Sequence, residues 1–509
     1  MRRRRGHRSA PRTLGVNLGG ALNLCGTLVT YLSFAFVLPI VFALAYSESV
    51  WPFAGAWAIA LAFGLGLQRV TSGGGTIAAR EGFFVVSVTW LLAAAVGALP
   101  YLLSGEAQLD RPINAYFEAM SGFTTTGASM LTDVEALNHS LEMWRQFTQW
   151  LGGMGIIVLA LAVLPRLRVG GRQLLVSEMP GPEVEPLAAR IRDVARQLWL
   201  LYVGLTVAMV AALSVGHWAG LDDKMTPYQA LAHAFTTLPT GGFSTQGRSI
   251  EAFSGTSQWV IVLFMALAGA NFALMYRALL RRKPMLLARD EEFRLYVFVL
   301  VGASAIVAIE LWTEGFQKGE AAVRHGAFQV VSMMTTTGYA STDFATWSLL
   351  AGIVLVAVMF VGGSAGSTGG AIKVVRHLLV GKLLRRELRQ TVHPELVASV
   401  HYNRQVVDER TLRAILAFTM LYVGIFAVGT LLLILDAARV DLDLSLLDAV
   451  ATTATTLGNV GPAFGSAGPM GSFAGFSDWS KGLLIGLMWL GRLELIPIVV
   501  LFTRNYWRA

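Results

Sequence analysis

Long apolar runs, separated by short polar loops that carry glycine, set the pattern of this chain, and their order repeats. Residues 23–46 and 51–67 each read as a spanning helix, because about 20 apolar helical residues cross a bilayer. A basic, glycine-rich hinge, 68–80, follows. From there one unit recurs four times: spanning helix, short amphipathic helix, polar glycine loop, spanning helix. The three helices of each unit fall at 83–103, 113–123 and 144–164; at 198–219, 227–238 and 259–279; at 293–312, 324–334 and 349–376; and at 414–435, 446–455 and 482–503. The short helices are too brief to span and fit re-entrant segments, whose irregular ends survive at membrane depth only where protein or water surrounds them. The pattern predicts an all-α polytopic membrane protein. Four helix–pore helix–helix repeats, at 81–170, 171–290, 291–411 and 412–509, would surround a pseudo-four-fold pore. A segment with two extra transmembrane helices, 1–80, precedes them.

Composition agrees: 54% hydrophobic and 14% charged residues, with a mean hydropathy of +0.57, exclude an ordinary soluble protein. The single cysteine, Cys25, allows no intrachain disulfide and reads as a small buried apolar residue. A net charge of +8 raises the question of nucleic acid, but topology accounts for it. With ten spans and both ends on one side, 31 of the 40 Lys and Arg fall on that side and eight on the other, leaving Arg492 inside the membrane. Basic residues favour the cytoplasmic side, so both termini are expected there, with the four glycine loops opening from outside. No nucleic-acid partner is needed. Asp110, Asp133, Asp222, Asp223, Asp343, Asp441 and Asp443 lie near the loop entrances, where negative charge concentrates cations.

The loops are Thr124-Thr125-Thr126-Gly127-Ala128-Ser129, Pro239-Thr240-Gly241-Gly242-Phe243-Ser244, Thr335-Thr336-Thr337-Gly338-Tyr339-Ala340-Ser341 and Thr455-Thr456-Leu457-Gly458-Asn459-Val460-Gly461. Aligned on the first glycine, they place Gly127, Gly241, Gly338 and Gly458 in equivalent positions. A cation leaving water needs oxygens at fixed distance, and backbone carbonyls supply them where glycine admits conformations other residues resist. The short helices also aim their partially negative carbonyl ends at the loops. The expected filter residues are Thr125, Thr126, Gly127, Thr240, Gly241, Thr336, Thr337, Gly338, Leu457, Gly458 and Asn459. No Cys/His ligand spacing, His-Glu metal motif, Gly-x-Ser-x-Gly elbow or paired intramembrane carboxylate supports a transition-metal site or an enzyme.

Between 362 and 370 five glycines (Gly362, Gly363, Gly366, Gly369 and Gly370) interrupt an apolar helix. Each costs about 0.8–1 kcal/mol relative to alanine in a helix, so a loop inside the span is expected, suited to block or open a pore. Arg492 is expensive in lipid and should face an aqueous cavity or a partner. Glu494, two residues on, points elsewhere on a helix and is a poor local partner. Lys373 reads as snorkelling to the cytoplasmic interface. Glu118 and Gln329 each lie nine residues before their filter glycine, with His233 one place off that register; all three read as anchors for the short helices. Asn271 reads as an interhelical hydrogen-bonding residue. The basic connections 165–197, 281–294 and 373–413 suit anionic lipid or a docked regulator, and no Walker or Rossmann motif is present.

Segments 122–129, 240–244, 335–341 and 455–462 resemble the four filter segments of the bacterial TrkH/TrkG/KtrB potassium-uptake family, over nearly the whole chain. The two leading helices are similar to the TrkH branch. The resemblance implies potassium (K+) as the transported ion, no bound cofactor, and a bacterial cytoplasmic (inner) membrane location. It also implies a homodimer with one pore per protomer and a cytosolic, nucleotide-binding regulatory subunit of the TrkA type. Transport is then channel-like or K+/H+ symport. Glycine at all four aligned positions favours potassium over the alternative, a sodium-permeable or weakly selective pathway on the same scaffold. An intramembrane gating loop is implied at Gly362, Gly363, Gly366, Gly369, Gly370 and Lys373, with Arg492 on the pore wall beside it.

Overall fold

The computed structural model describes residues 16–71, 79–162 and 187–508. The amino-terminal arginine run and most of the basic 165–197 connection lie outside them. Helix α1 (Leu18–Ala45) starts where the Asn17 side chain accepts from Gly20 N. It tightens into one 3-10 turn at Phe34–Phe36, just before Pro39, which has no N–H to donate and crowds the preceding turn. Helix α2 (Trp51–Val70) begins with Pro52 in its first turn, where no donor is lost. The two cross at Gly26 and Gly64: a Cβ on either would stand 2.9 Å from the other's carbonyl oxygen. Small residues at a helix crossing permit this approach.

The four units follow in order. The first is α3 (Ala79–Ser104), α4 (Pro112–Phe123) and α5 (His139–Ala162). The second is α6 (Leu187–Trp218), α7 (Pro227–Thr237), and α8 (Gly255–Ala268) with α9 (Phe272–Leu279), followed by the short α10 (Met285–Arg289). The third is α11 (Glu291–Thr313), α12 (Glu320–Met334), and α13 (Leu349–Val361) with α14 (Val374–Val392). A two-stranded hairpin, β1 (His401–Tyr402) with β2 (Gln405–Val406), leads to the fourth: α15 (Glu409–Arg439), α16 (Leu446–Gly458), and α17 (Asp478–Arg492) with α18 (Ile496–Val499). Ser254, Ser348 and Ser477 cap the inner helices of the last three units in the same way, each accepting from the backbone N–H three residues on.

The inner helices depart from the continuous spans expected. The second unit's breaks after Ala268 and turns by 109°, the fourth's breaks after Arg492 and turns by 112°, and the third's stops at Val361. Asn271 is therefore not an interhelical bonding residue: it restarts the chain as α9, its side chain accepting from Leu274 N. Six described helices are long and apolar enough to cross a membrane, and eight spans result when each bent pair counts as one. The other two expected spans are α5 and α13. The first turns of α5 carry Glu142, Arg145, Gln146 and Gln149, all buried against protein, and α13 has only 13 residues. The short helices α4, α7, α12 and α16 form the buried centre, with Phe117, His233, Phe328 and Thr452 wholly enclosed.

Candidate functional site

Each short helix ends in the same turn. Thr125, Thr240, Thr336 and Asn459 occupy the left-handed region at φ between 51 and 60°. Their N–H groups donate to carbonyls three residues back: Gly122 at 2.9 Å, Thr237 at 2.9 Å, Met333 at 3.2 Å and Thr456 at 3.4 Å. The next residues, Thr126, Gly241, Thr337 and Val460, each donate to the carbonyl five residues back at 2.8 Å. This pair of bonds is a Schellman cap, which glycine usually closes. Asparagine tolerates its left-handed position, whereas a β-branched threonine there costs about 1–3 kcal/mol that surrounding contacts must offset.

The following residue is a glycine at positive φ in every loop: Gly127 (83°), Gly242 (77°), Gly338 (81°) and Gly461 (115°). These four lock the loops into a closed cycle. A Cβ on Gly127 would stand 2.2 Å from Gly241 O, one on Gly242 1.9 Å from Thr337 O, one on Gly338 1.7 Å from Val460 O, and one on Gly461 2.6 Å from Thr126 O. Thr126, Gly241, Thr337 and Val460 thus present four carbonyls in cyclic order, each against the neighbouring loop's glycine.

The register expected for the second and fourth loops is corrected by this geometry. Gly242 and Gly461, not Gly241 and Gly458, correspond to Gly127 and Gly338. Leu457 and Gly458 are the last residues of α16, and their carbonyls face elsewhere. Leu457 O lies 1.9 Å from the place of a Cβ on Gly491, and Gly458 O 2.2 Å from that on Gly370. Counting nine residues back from the corrected glycines gives Glu118, His233, Gln329 and Thr452, so His233 is in register after all.

Three of these residues brace their loops. Glu118 accepts from Met130 N (2.7 Å) and Ser129 Oγ (3.0 Å), His233 Nε2 bonds Ser244 Oγ (3.0 Å), and Gln329 Nε2 donates to Tyr339 O (2.9 Å). Buried Arg145 pairs with Glu118 at 2.6 Å and donates to Ser244 O at 2.8 Å, joining the first loop to the second. Gln149 donates to Gly241 O (2.7 Å) and accepts from Phe243 N (3.2 Å); Asn459 Nδ2 donates to Thr126 Oγ1 (3.0 Å). These cross-links between distant segments have no local sequence signature.

The 362–373 loop sits directly against this cycle. Gly370 N donates to Thr336 Oγ1 (2.7 Å), Thr368 Oγ1 to Leu238 O (2.9 Å), and Ser364 N to Gly269 O (2.8 Å), where α8 breaks. Arg492, at the break after α17, donates to Thr368 O (2.9 Å) and Gly152 O (3.2 Å) and is 2% exposed. Glu494 is not its partner; it pairs with Arg376. Lys373 does not snorkel. It is buried, its Nζ donating to Gly369 O and closing the loop on itself. Glu292, also buried, accepts from Ala365 N (2.6 Å) and Val375 N (3.3 Å).

The chain as a whole has counterparts among known proteins. Residues 52–509 match the family profile TrkH, described as a cation transport protein. The chain belongs to the TrkH family. It is 39% identical over 492 residues to the Trk system potassium uptake protein TrkH of Escherichia coli K12, covering 95% of this chain and 98% of that one. To TrkH of Halomonas elongata it is 34% identical over 494 residues, covering 96% and 98%. The crystal structure of the potassium transporter TrkH from Vibrio parahaemolyticus superposes with a TM-score of 0.85 at 32% identity, covering 96% of this chain and all of that one. As a TrkH-family protein with these apolar helices, the chain is a multi-pass membrane protein and not an enzyme.

Proposed function

We propose that this TrkH-family protein takes up potassium through the four-loop ring. The observation that carries the reading is the closed cycle in which each glycine abuts the next loop's carbonyl. Four turns, three of them strained at threonine, are held by bonds from behind that fix their oxygens, which is what replacing a hydration shell requires. Thr126, Gly241, Thr337 and Val460 supply the carbonyls; Gly127, Gly242, Gly338 and Gly461 allow the approach; Thr125, Thr240, Thr336 and Asn459 hold the turns.

The 362–373 loop is the gate. Gly362, Gly363, Gly366, Gly369 and Gly370 give it freedom to move, while Lys373, Thr336, Thr368 and Arg492 hold it in the arrangement described. Opening breaks the bonds from Arg492 to Thr368 O and Gly152 O and from Gly370 N to Thr336 Oγ1. The protein works in the bacterial inner membrane with both termini cytoplasmic, as a homodimer regulated by a cytosolic nucleotide-binding subunit. The names of its relatives support potassium as the cargo.

Isotope uptake in a potassium-uptake-deficient bacterium, with potassium and sodium in competition, tests the selectivity. Equal sodium flux replaces this reading with the weakly selective one. Repeating the measurement with and without an imposed pH gradient separates conduction from proton symport.

A further inference from the structure

A cavity of about 610 Å³ opens between α9–α10, the start of α11 and the β1–β2 hairpin, within the size range of small-ligand sites. Four arginines line it: Arg277, Arg289, Arg294 and Arg404. Two acids line it as well, but both are engaged. Asp290 accepts from Phe293 N and from Asn403 Nδ2, each at 2.8 Å, and Glu291 pairs with Lys382. Arg289, Arg294 and Arg404 are exposed and make no ion pair or side-chain hydrogen bond among the described residues. Asn403 and Arg404 both have positive φ, so the hairpin's tight turn, fastened by Asn403 to Asp290 and to Glu291 N (3.0 Å), fixes the base of Arg404 at the cavity edge. The cavity is therefore a built site with unmatched guanidinium groups, the side chain best suited to a phosphate.

Its position indicates the source of that phosphate. Helix α11 has 23 residues, a length of about 35 Å against a hydrocarbon core of about 30 Å, so its first turn with Arg294 lies at headgroup depth. Leu279, Leu280 and Met285, in the stretch of chain between the cavity-lining Arg277 and Leu286, are 51, 54 and 63% exposed, an apolar fringe where acyl chains would lie. A soluble phosphate compound has no use for that fringe. We propose that this cavity binds the phosphodiester headgroup of an anionic phospholipid, with Arg289, Arg294 and Arg404 on the phosphate and Leu279, Leu280 and Met285 against the chains. The site adjoins Glu292, which holds Ala365 of the glycine loop, so an occupant sits one residue from a contact on that loop.

The test is native mass spectrometry of the full chain in detergent, titrated with phosphatidylglycerol or phosphatidylcholine. The wild type should retain phosphatidylglycerol in preference. Arg289→Ala/Arg294→Ala/Arg404→Ala should lower that preference by about 100-fold, an arginine at a bilayer surface contributing roughly fivefold. The control Arg385→Ala/Arg389→Ala/Arg410→Ala removes as much exposed charge outside the cavity and should leave the preference intact. An unchanged preference in the first variant, or an equal loss in the control, overturns the proposal. So does full displacement by millimolar inorganic phosphate, which marks a soluble-anion pocket, or arginine-dependent binding only of a cytosolic protein. Thermal unfolding with each lipid shows whether the variants are folded, and neither readout uses ion flux, so failure here leaves the transport reading untouched.

Discussion

The register of the fourth loop can be tested with two alanines three residues apart. Gly461 sits at φ +115°, and its Cβ would stand 2.6 Å from Thr126 O, closer than real Cβ contacts come. Gly458 ends a helix at ordinary φ, and its Cβ would meet Val460 Cγ2 at 3.3 Å and Ala371 Cβ at 3.6 Å, contacts that side chains absorb. Gly461→Ala therefore adds about 1–2 kcal/mol of backbone strain and pushes the Thr126 carbonyl, or its own loop, off position by several tenths of an ångström. Gly458→Ala gains up to about 1 kcal/mol of helix propensity. If conduction depends on the ring, Gly461→Ala should cut potassium uptake or its discrimination against sodium by about tenfold or more, since 1.4 kcal/mol is a factor of ten. Gly458→Ala should stay within about twofold of wild type, well under 1 kcal/mol on the same scale. Rubidium uptake with sodium competition, alongside thermal unfolding in detergent to confirm folding, reads both. Equal defects, or a defect confined to Gly458→Ala, would refute the assignment of Val460 and Gly461 to the ring.

Other outcomes follow from the braces around it. Removing one partner of the Glu118–Arg145 pair, whose side chains are 0 and 3% exposed, should cost about 3–5 kcal/mol and lower the unfolding temperature sharply, while Glu118→Leu/Arg145→Met should recover much of it. Thr336→Val leaves the buried Gly370 N–H without its acceptor, a loss of about 1–3 kcal/mol that should loosen the glycine loop and raise unregulated uptake. Arg492→Gln should raise it too, by weakening the hold on Thr368 O and Gly152 O; unchanged or lower flux in both variants argues against the gate. In the loop before α7, burial pushes the Asp222 carboxyl up, but hydrogen bonds from Ser257, Ser254 and Lys224 outweigh it and hold its pKa below the ordinary 3.8. A depressed folded value adds stability above that ordinary value, and the gain is lost as pH falls through the folded one. Asp222→Asn should therefore unfold at lower temperature at pH 7, with the gap to wild type closing below about pH 4.

Much of this architecture is legible in the chain. Four polar glycine loops at near-regular spacing, each after a short helix, predict four equivalent turns, and the glycine-dense 362–370 segment breaks its span where propensity says it should. The register of two loops is not legible from the first glycine. In Thr240-Gly241-Gly242 the second glycine takes the positive φ, and in Leu457-Gly458-Asn459-Val460-Gly461 asparagine supplies the left-handed turn after a helix that runs through Gly458. A clue was present: His233 falls nine residues before Gly242, as Glu118 does before Gly127. The breaks at 269–271 and 493–495 escape a hydropathy reading because each pair of helices still passes together as one apolar span, despite Asn271, Arg492 and Glu494, and Leu495 itself sits at positive φ. Lys373 and Arg145 escape it for a different reason: their partners, Gly369 O and the Glu118 carboxylate, become apparent only once the chain is folded.

The cyclic contact of the loops has a consequence for how such a passage can change over time. In an assembly of four identical subunits every substitution is made four times, so the smallest available step alters the whole circumference. Here one chain writes each quadrant separately. Asparagine can stand in one corner where threonine stands in three, and a glutamine can lean on one carbonyl alone. If the ring selects the ion as proposed, its preference can drift by quarter-steps, one corner changing while three are left as they were.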